Sequence, residues 1–102
     1  MIRVINLKNY KPMPDEVLIK VDRTSPVGNP YYMRNEFERD IVCDRYKKHF
    51  EWSMQNDVKF NNYIKNIVKI AQKHDIALGC WCYPKRCHAE TIKRFVENAV
   101  YK

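Results

Sequence analysis

The chain has 102 residues, and its 19 basic against 12 acidic side chains give a formal net charge of +7. This length is that of one domain, residues 1–102. With 45% apolar and 13% aromatic residues, the composition excludes a disordered chain. There is no run of about 18 apolar residues, which excludes a transmembrane helix, and we expect no membrane partner. The first residues are typical of a strand rather than of a secretory signal peptide, so we expect a cytoplasmic protein.

Cysteine is distributed unevenly along the chain. Three of the four cysteines, Cys80, Cys82 and Cys87, lie within eight residues. Because cytosolic thiols stay reduced, we expect these three and Cys43 to be free, metal-bound or catalytic rather than disulfide-bonded. Glycine is scarce, with two residues where average usage predicts about seven.

Two strands and two loops are predicted at the start of the chain. Alternating β-branched residues predict a strand over 2–7, and a short apolar run predicts another over 17–21. The loops over 8–16 and 22–32 each hold two prolines, which exclude both helix and central strand.

Two helices follow, separated by Asn56 and Asp57. We expect Asn35 to cap the first helix, with Glu36 and Glu38 in its opening turn. Apolar residues at three- and four-residue steps predict one buried face for each helix. These faces comprise Phe37, Ile41, Val42, Tyr46, Phe50 and Met54 in the first helix, and Phe60, Tyr63, Ile64, Ile67, Val68 and Ala71 in the second.

A third strand and a third helix complete the pattern. The apolar run over 76–82 is typical of a strand covered on both faces, and Pro84 ends it. The last helix begins near His88 and is expected to bury Ile92, Phe95, Val96, Ala99 and Val100.

The element order ββααβα predicts an α/β fold, a small Rossmann-like sheet of about three strands with three helices. The link between the first two strands is too short for a parallel crossover between neighbours. Either these strands pair antiparallel or the third strand lies between them. We favour the second arrangement.

The loop over 22–32 follows a strand, and open α/β sheets bind ligands beyond the carboxyl ends of their strands. It offers the Arg23 guanidinium, the Ser25 hydroxyl and the Asn29 amide, while Gly28 allows a ligand close to the backbone. This group suits an anion, especially a phosphate, or a sugar hydroxyl. The alternative is a structural turn in which Ser25 and Asn29 bond their own backbone.

A second segment over 78–88 runs from the third strand into the last helix. Its thiol and polar side chains are those of Cys80, Cys82, Lys85, Arg86, Cys87 and His88. Cys80 and Cys82 share a face if the strand continues through both. Cys87 and His88 come at the helix N-terminus, where unpaired N–H groups bind anions and favour a thiolate.

Three functional interpretations of this segment compete. Zinc is one, with Cys80, Cys82, Cys87 and His88 as ligands, although their spacing is shorter than in usual zinc sites and another histidine would be an alternative ligand. Covalent catalysis is the second, with Cys87 as nucleophile and His88 as proton carrier. The third is an anionic ligand held by the basic residues and the helix N-terminus. A structural interpretation makes the cysteines small core residues and His88 a cap.

Three motifs occur in a recognisable order: Asn-Leu at 6–7, Ser-Pro-Val-Gly-Asn-Pro at 25–30 and Leu-Gly-Cys-Trp-Cys-Tyr-Pro-Lys-Arg-Cys-His at 78–88. Together they resemble domain of unknown function family 4326, over nearly the whole chain. The resemblance implies a small domain of a bacterium or a phage, in the second case acting in the host cytoplasm. It implies a fold and a site location but no established reaction.

Two positions depart from the pattern of that family. Ala89 stands where the family has Gly after the Cys-His pair, and Asp22 stands where it tends to have Gly before the arginine of the first loop. Each adds a side chain, and Asp22 adds a negative charge. We therefore expect a family pocket to be narrowed in this chain.

These observations predict a domain that binds, and under one interpretation processes, a nucleotide or other phosphorylated nucleoside-like ligand at the carboxyl edge of the sheet. Arg23 and the helix N-terminus would hold phosphate, Asn6 and Asn29 a sugar or base, and Cys87 or His88 would carry any chemistry. The expected ligand-binding set is Asn6, Arg23, Ser25, Gly28, Asn29, Cys82, Lys85 and Arg86.

Two alternatives stay open. One is a zinc-stabilised module that binds nucleic acid or protein. The other is a phage protein that binds and inhibits a host protein. Tyr31, Tyr32, Trp81 and Tyr83 lie near basic residues, as in nucleic-acid surfaces. The lysines are spread along the helices, however, so the charge indicates only a general attraction for anions.

Overall fold

A computed structural model of the chain describes residues 1–101. Its sheet has three strands, β1 (Ile2–Asn6), β2 (Glu16–Lys20) and β3 (Asp75–Cys80). Both strand pairs are parallel, and β3 lies between β1 and β2. The predicted α/β class and the central position of the third strand are therefore confirmed.

Three helices accompany the sheet. A single 3-10 turn (Glu36–Glu38) leads directly into α1 (Arg39–Asn56), which is followed by α2 (Val58–Ala71) and, after β3, by α3 (Ala89–Val100). The predicted order is confirmed. Within the described residues, no helix is both long enough and apolar enough to cross a membrane.

The core joins one face of the sheet to the helices. Ile76, Leu78 and Cys80 alternate along β3 and belong to the same buried cluster as residues of all three helices. Every residue of β3 after Asp75 is buried. On the opposite face of β1, Arg3 donates two hydrogen bonds of 2.7 Å to the Glu16 carboxylate at the start of β2.

The predicted faces of α1 and α3 are partly wrong. Phe37 is 95% exposed because it lies in the 3-10 turn before α1. Ile41 is 53% exposed because the buried stripe of α1 follows Val42, Tyr46 and Phe50 instead. The buried residues of α1 are Val42, Cys43, Tyr46, Phe50 and Ser53. On α3, Phe95 and Ala99 are exposed because the buried stripe follows Ala89, Ile92 and Val96.

The bounds of all three strands and the predicted helix cap also change, the first two strands by one residue. The third strand ends at Cys80 and the backbone bends at Trp81, so the prediction that Cys80 and Cys82 share a strand face is wrong. Asn35 caps the 3-10 turn, by accepting a hydrogen bond from the Phe37 N–H at 3.0 Å, rather than α1 itself. The predicted break between α1 and α2 is confirmed, since Asp57 caps α2.

Candidate functional site

A cavity lies at the carboxyl edge of the sheet. The loops that follow β2 and β3 both leave from this edge because the two strands are parallel. Residues of these two loops and of the first part of α1 enclose a cavity of about 260 Å³. Of the predicted site residues, those that line it are Arg23, Asn29, Cys80, Cys82, Arg86, Cys87 and His88.

The other predicted residues lie outside this cavity. The Asn6 amide donates to the backbone carbonyls of Trp81 and Tyr83, at 3.3 and 3.0 Å, and so holds the second loop from its outer side. Lys85 forms an ion pair with Glu36 at 3.2 Å. Both residues shape the loop over 81–88 without lining the cavity that it encloses.

Ser25 and Gly28 act within their own loop. The Ser25 hydroxyl donates to the Asp22 carbonyl at 2.8 Å and accepts from the Val27 N–H at 3.3 Å. A Cβ at Gly28 would lie 2.5 Å from both Arg23 Cα and the Asp22 carbonyl oxygen. The backbone that Gly28 approaches is therefore that of its own chain, as in the structural-turn interpretation.

Asp22, one of the two departures from the family pattern, ties the two loops together. Its carboxylate accepts from the Thr24 hydroxyl and backbone N–H, and from the Trp81 indole N–H at 2.9 Å. Burial opposes ionisation of this carboxyl, but the hydrogen bonds from Thr24 and Trp81 outweigh it and lower the Asp22 pKa. Asp22 therefore fixes the Trp81 ring at the cavity.

Arg23 presents a positive charge to the cavity. Its guanidinium donates to the backbone carbonyls of Asn29 and Tyr31, each at 3.1 Å, and lies 4.0 Å from the centroid of the Tyr32 ring. It forms no ion pair with a carboxylate among the described residues. Because its partners are neutral, the charge remains available to a ligand.

Two further arginines line the cavity, but acidic side chains pair with both. Arg39 forms an ion pair with Glu36 at 2.9 Å and donates to the Arg86 carbonyl at 2.8 Å. Arg86 bonds the carboxylates of Asp40 and Asp44, at 2.9 and 2.8 Å. Sequence analysis missed Arg39, Val42 and Cys43 as lining residues, since only the tertiary fold brings α1 against the two loops.

His88 is buried, and both of its ring nitrogens have protein partners. The Nε2–H donates to the Val21 carbonyl, and Nδ1 lies 3.4 Å from Cys87 Sγ. A carbonyl only accepts, so the ring carries a proton at Nε2. Burial lowers the His88 pKa. His88 thus fastens the start of α3 to the end of β2.

The environment of Cys87 keeps its thiol protonated. Contact with the Cys80 thiol and burial both raise the Cys87 pKa, despite a hydrogen bond from the Ala89 N–H at the helix N-terminus. Cys80 has the opposite shift. Its contact with Cys87 lowers its pKa, and burial opposes this shift. The Cys80 thiol is buried and donates to the Ile5 carbonyl at 3.6 Å. This environment therefore does not favour the Cys87 thiolate that covalent catalysis would need.

The proposed zinc ligands do not form a ready coordination set. Within residues 1–101, no group of three or more His, Cys, Asp or Glu side chains has a geometry that would hold a metal ion. His88 would have to give up the Val21 carbonyl to bind through Nε2.

The buried state of His88 predicts a pH dependence of stability. Its pKa in the folded protein is below the usual value of 6.5, so the unfolded chain binds more protons in this range. The free energy of unfolding should keep its full value above about pH 6.5, which is the His88 pKa in the unfolded chain. It should fall as the pH drops through the lower pKa of the folded state. Urea denaturation at pH of about 7.5 and about 5.5 measures this change.

Two variants separate His88 from the other histidines. We expect His88→Gln to lose most of the pH dependence between those values and His74→Gln, at an exposed position, to retain it. Equal pH dependence in the wild type and His88→Gln would contradict this assignment.

The comparisons with known proteins identify a family without a known function. The family model described as domain of unknown function (DUF4326) matches residues 5–98. No curated protein and no solved structure shows significant similarity to the chain. The match includes both loops of the cavity and confirms the family resemblance of the sequence. The chain therefore belongs to the family described as domain of unknown function (DUF4326).

Proposed function

We propose that the cavity at the carboxyl edge of the sheet binds a nucleotide or another phosphorylated nucleoside-like ligand. The observation that carries this proposal is the Arg23 guanidinium, which lines the cavity without a carboxylate partner among the described residues. A phosphate accepts two parallel N–H bonds from such a group. The other two arginines of the cavity add to the positive potential but are already paired.

Aromatic rings beside Arg23 supply surfaces for a base. Trp81 is 60% exposed, and its ring is held in one orientation by the bond from its indole N–H to Asp22. Tyr31 and Tyr32 line the same cavity. A base that stacks on such a ring gains about 1–3 kcal/mol. This combination of a fixed indole and a free guanidinium favours a ligand with both an aromatic and an anionic part.

The dimensions and polar groups favour a small ligand. The volume of about 260 Å³ is below the range of roughly 300–1,000 Å³ for most small-molecule sites, which favours a mononucleotide over a dinucleotide. Asn29 is buried and lines the cavity, and its carbonyl Oδ1 accepts from the Tyr31 N–H at 2.9 Å. Its amide Nδ2, which donates to no protein group among the described residues, is a donor for a sugar hydroxyl or a base.

Calorimetric titration tests the proposal. We expect nucleoside monophosphates to bind and the matching nucleosides to bind at least about tenfold more weakly, since a charge-assisted hydrogen bond contributes about 1.5–3 kcal/mol. Arg23→Gln should weaken monophosphate binding by a similar factor. Arg45→Gln, the same change on an exposed part of α1 away from the cavity, should leave it unchanged.

Two results would contradict the proposal. One is no binding across monophosphates of all the common bases at millimolar concentration. The other is an equal loss in Arg23→Gln and Arg45→Gln, which would show a response to net charge alone. A short single-stranded oligonucleotide in the same series identifies a nucleic-acid partner if it binds more tightly than every mononucleotide.

A further inference from the structure

One side of α1 stays in solvent although it carries large apolar side chains. Ile41 is 53% exposed and Trp52 is 61% exposed. Arg45 and Lys48 lie between them along the helix and are exposed as well. The spacing of three and four residues places all four side chains on the same side, so they form the outer stripe of α1. Within residues 1–101, neither Arg45 nor Lys48 has an ion-pair partner.

The acidic side chains of α1 lie on a different side of the helix. Asp40 and Asp44 bond Arg86, at 2.9 and 2.8 Å, and Glu51 lines the groove between α1 and α3. Glu38, in the turn before α1, is already paired with a neighbouring arginine at 2.8 Å. The acidic residues of α1 therefore leave the positive charge of the outer stripe available to an anionic partner.

The outer stripe is continuous with the cavity at the carboxyl edge of the sheet. Tyr31 lines that cavity, and its ring packs edge-on against the His49 ring with 6.1 Å between the centroids. His49 comes directly after Lys48 and three residues before Trp52, so it borders the stripe. Tyr31 and His49 are both half-buried, and part of each side chain is open to solvent. A ligand can therefore extend from the cavity across Tyr31 to the outer stripe.

Exposed rings and cations alternate along this path. Trp81 and Tyr32 lie beside Arg23 at the cavity, and Trp52 lies beyond the two cations of the outer stripe. A protein partner would favour a contiguous apolar patch. Rings separated by cations match the bases and phosphates of a single nucleic-acid strand instead. The outer stripe is about 16 Å long from Ile41 to Trp52, at 1.5 Å per residue, which is long enough for more than one nucleotide.

We propose that a single-stranded nucleic acid binds across this surface, with one nucleotide in the cavity and the following nucleotides on the outer stripe of α1. The proposal rests on the proposed function of the cavity, whose volume of about 260 Å³ suits one nucleotide. Arg45 and Lys48 contact phosphates of the strand, and the Trp52 ring stacks on a base. A duplex keeps its bases paired and stacked on one another, so it cannot make the same contacts.

Fluorescence anisotropy with a labelled single strand of about eight nucleotides tests the proposal. RNA and DNA strands of the same mixed sequence are titrated separately. We expect at least one of them to bind about tenfold or more tighter than the tightest nucleoside monophosphate. Trp52→Ala should weaken this binding by about fivefold or more. Lys48→Gln should reduce the slope of log affinity against log salt by about 0.7, which corresponds to one phosphate contact with a single strand.

Lys73→Gln is the matched control for the change at Lys48. Lys73 is also exposed, but it lies in the turn between α2 and β3, at the amino edge of the sheet. The same loss of charge should therefore leave the salt slope unchanged. Equal changes of slope in the two variants would show a response to net charge and would contradict the proposal. So would a duplex of the same sequence, or polyglutamate, that binds as tightly as the single strand.

Titration with monophosphates separates this proposal from the proposed function. A wild type that binds monophosphates, but binds the oligonucleotide no more tightly, would overturn the single-strand proposal and leave the proposed function in place. No binding of either ligand would overturn both. Arg23→Gln should weaken both ligands, because each places a nucleotide in the cavity, whereas Trp52→Ala should weaken the oligonucleotide alone. Oligonucleotide binding that is unaffected by Arg23→Gln would contradict the part of the cavity in this proposal.

Discussion

We expect Gly28→Ala to destabilise the protein by about 3 kcal/mol and to abolish ligand binding at the cavity. The added Cβ would lie 2.5 Å from Arg23 Cα and from the Asp22 carbonyl oxygen, which are backbone atoms that cannot rotate away. The backbone at Gly28 does not have a positive φ, so the effect comes from space alone. Relieving the clash must move the backbone of Arg23, and with it the guanidinium that carries the proposed phosphate contact.

Gly79→Ala is the matched control for this prediction. A Cβ at Gly79 meets the Leu7 side chain, with Cδ2 at 2.5 Å, and that side chain can change rotamer. Urea denaturation should therefore show a smaller loss for Gly79→Ala, and calorimetry should show that nucleotide binding remains in that variant. A Gly28→Ala protein with wild-type stability and binding would refute the close packing of this loop.

The second large effect is expected for Tyr46→Phe, with a loss of about 2 kcal/mol in the free energy of unfolding. Tyr46 is fully buried on α1, and its hydroxyl donates to the Val27 carbonyl at 2.6 Å. Removing the hydroxyl leaves that buried carbonyl without a donor. The bond is also the tie that holds the first loop of the cavity to α1, so we expect weaker ligand binding as well.

Tyr63→Phe provides a control with the same chemical change. The Tyr63 hydroxyl donates to the Lys20 carbonyl, also at 2.6 Å, but at an exposed position where water can replace it. We expect a loss below about 1 kcal/mol in this variant, measured by the same denaturation. Similar losses of unfolding free energy in Tyr46→Phe and Tyr63→Phe would contradict this prediction. They would show that burial does not determine how much the hydrogen bond to the Val27 carbonyl contributes to stability.

The topology of the sheet was partly predictable, because the length of the link between β1 and β2 left two arrangements and the apolar sequence of β3 favoured a central strand. The link between β1 and β2 is too short for a parallel crossover between neighbours, and the apolar sequence of β3 is that of a strand buried along its length. The faces of α1 were less predictable. Phe37 continues the apolar spacing of the helix, but the 3-10 turn places it in solvent, and that turn depends on the local Asn35 cap.

The location of the site was predictable, but the partners of its side chains were not. Both loops follow parallel strands, so Arg23, Asn29 and Cys82 meet at one edge. Sequence spacing did not show that Asp40 and Asp44 on α1 pair with Arg86, or that the Val21 carbonyl binds His88. These contacts depend on how α1 and α3 dock. They distinguish Arg86, which is already paired with carboxylates, from Arg23, which has no carboxylate partner among the described residues.

The most direct test of the proposed anion site is a proton–nitrogen correlation spectrum of the labelled protein, titrated with a nucleoside monophosphate. We predict that shifts concentrate in the loops over 22–33 and 80–88 and include the Trp81 indole N–H, since these atoms surround the cavity. Shifts confined to the groove between α1 and α3, lined by Lys47, Glu51 and Arg94, would contradict the proposed site. So would a spectrum that does not change at millimolar nucleotide.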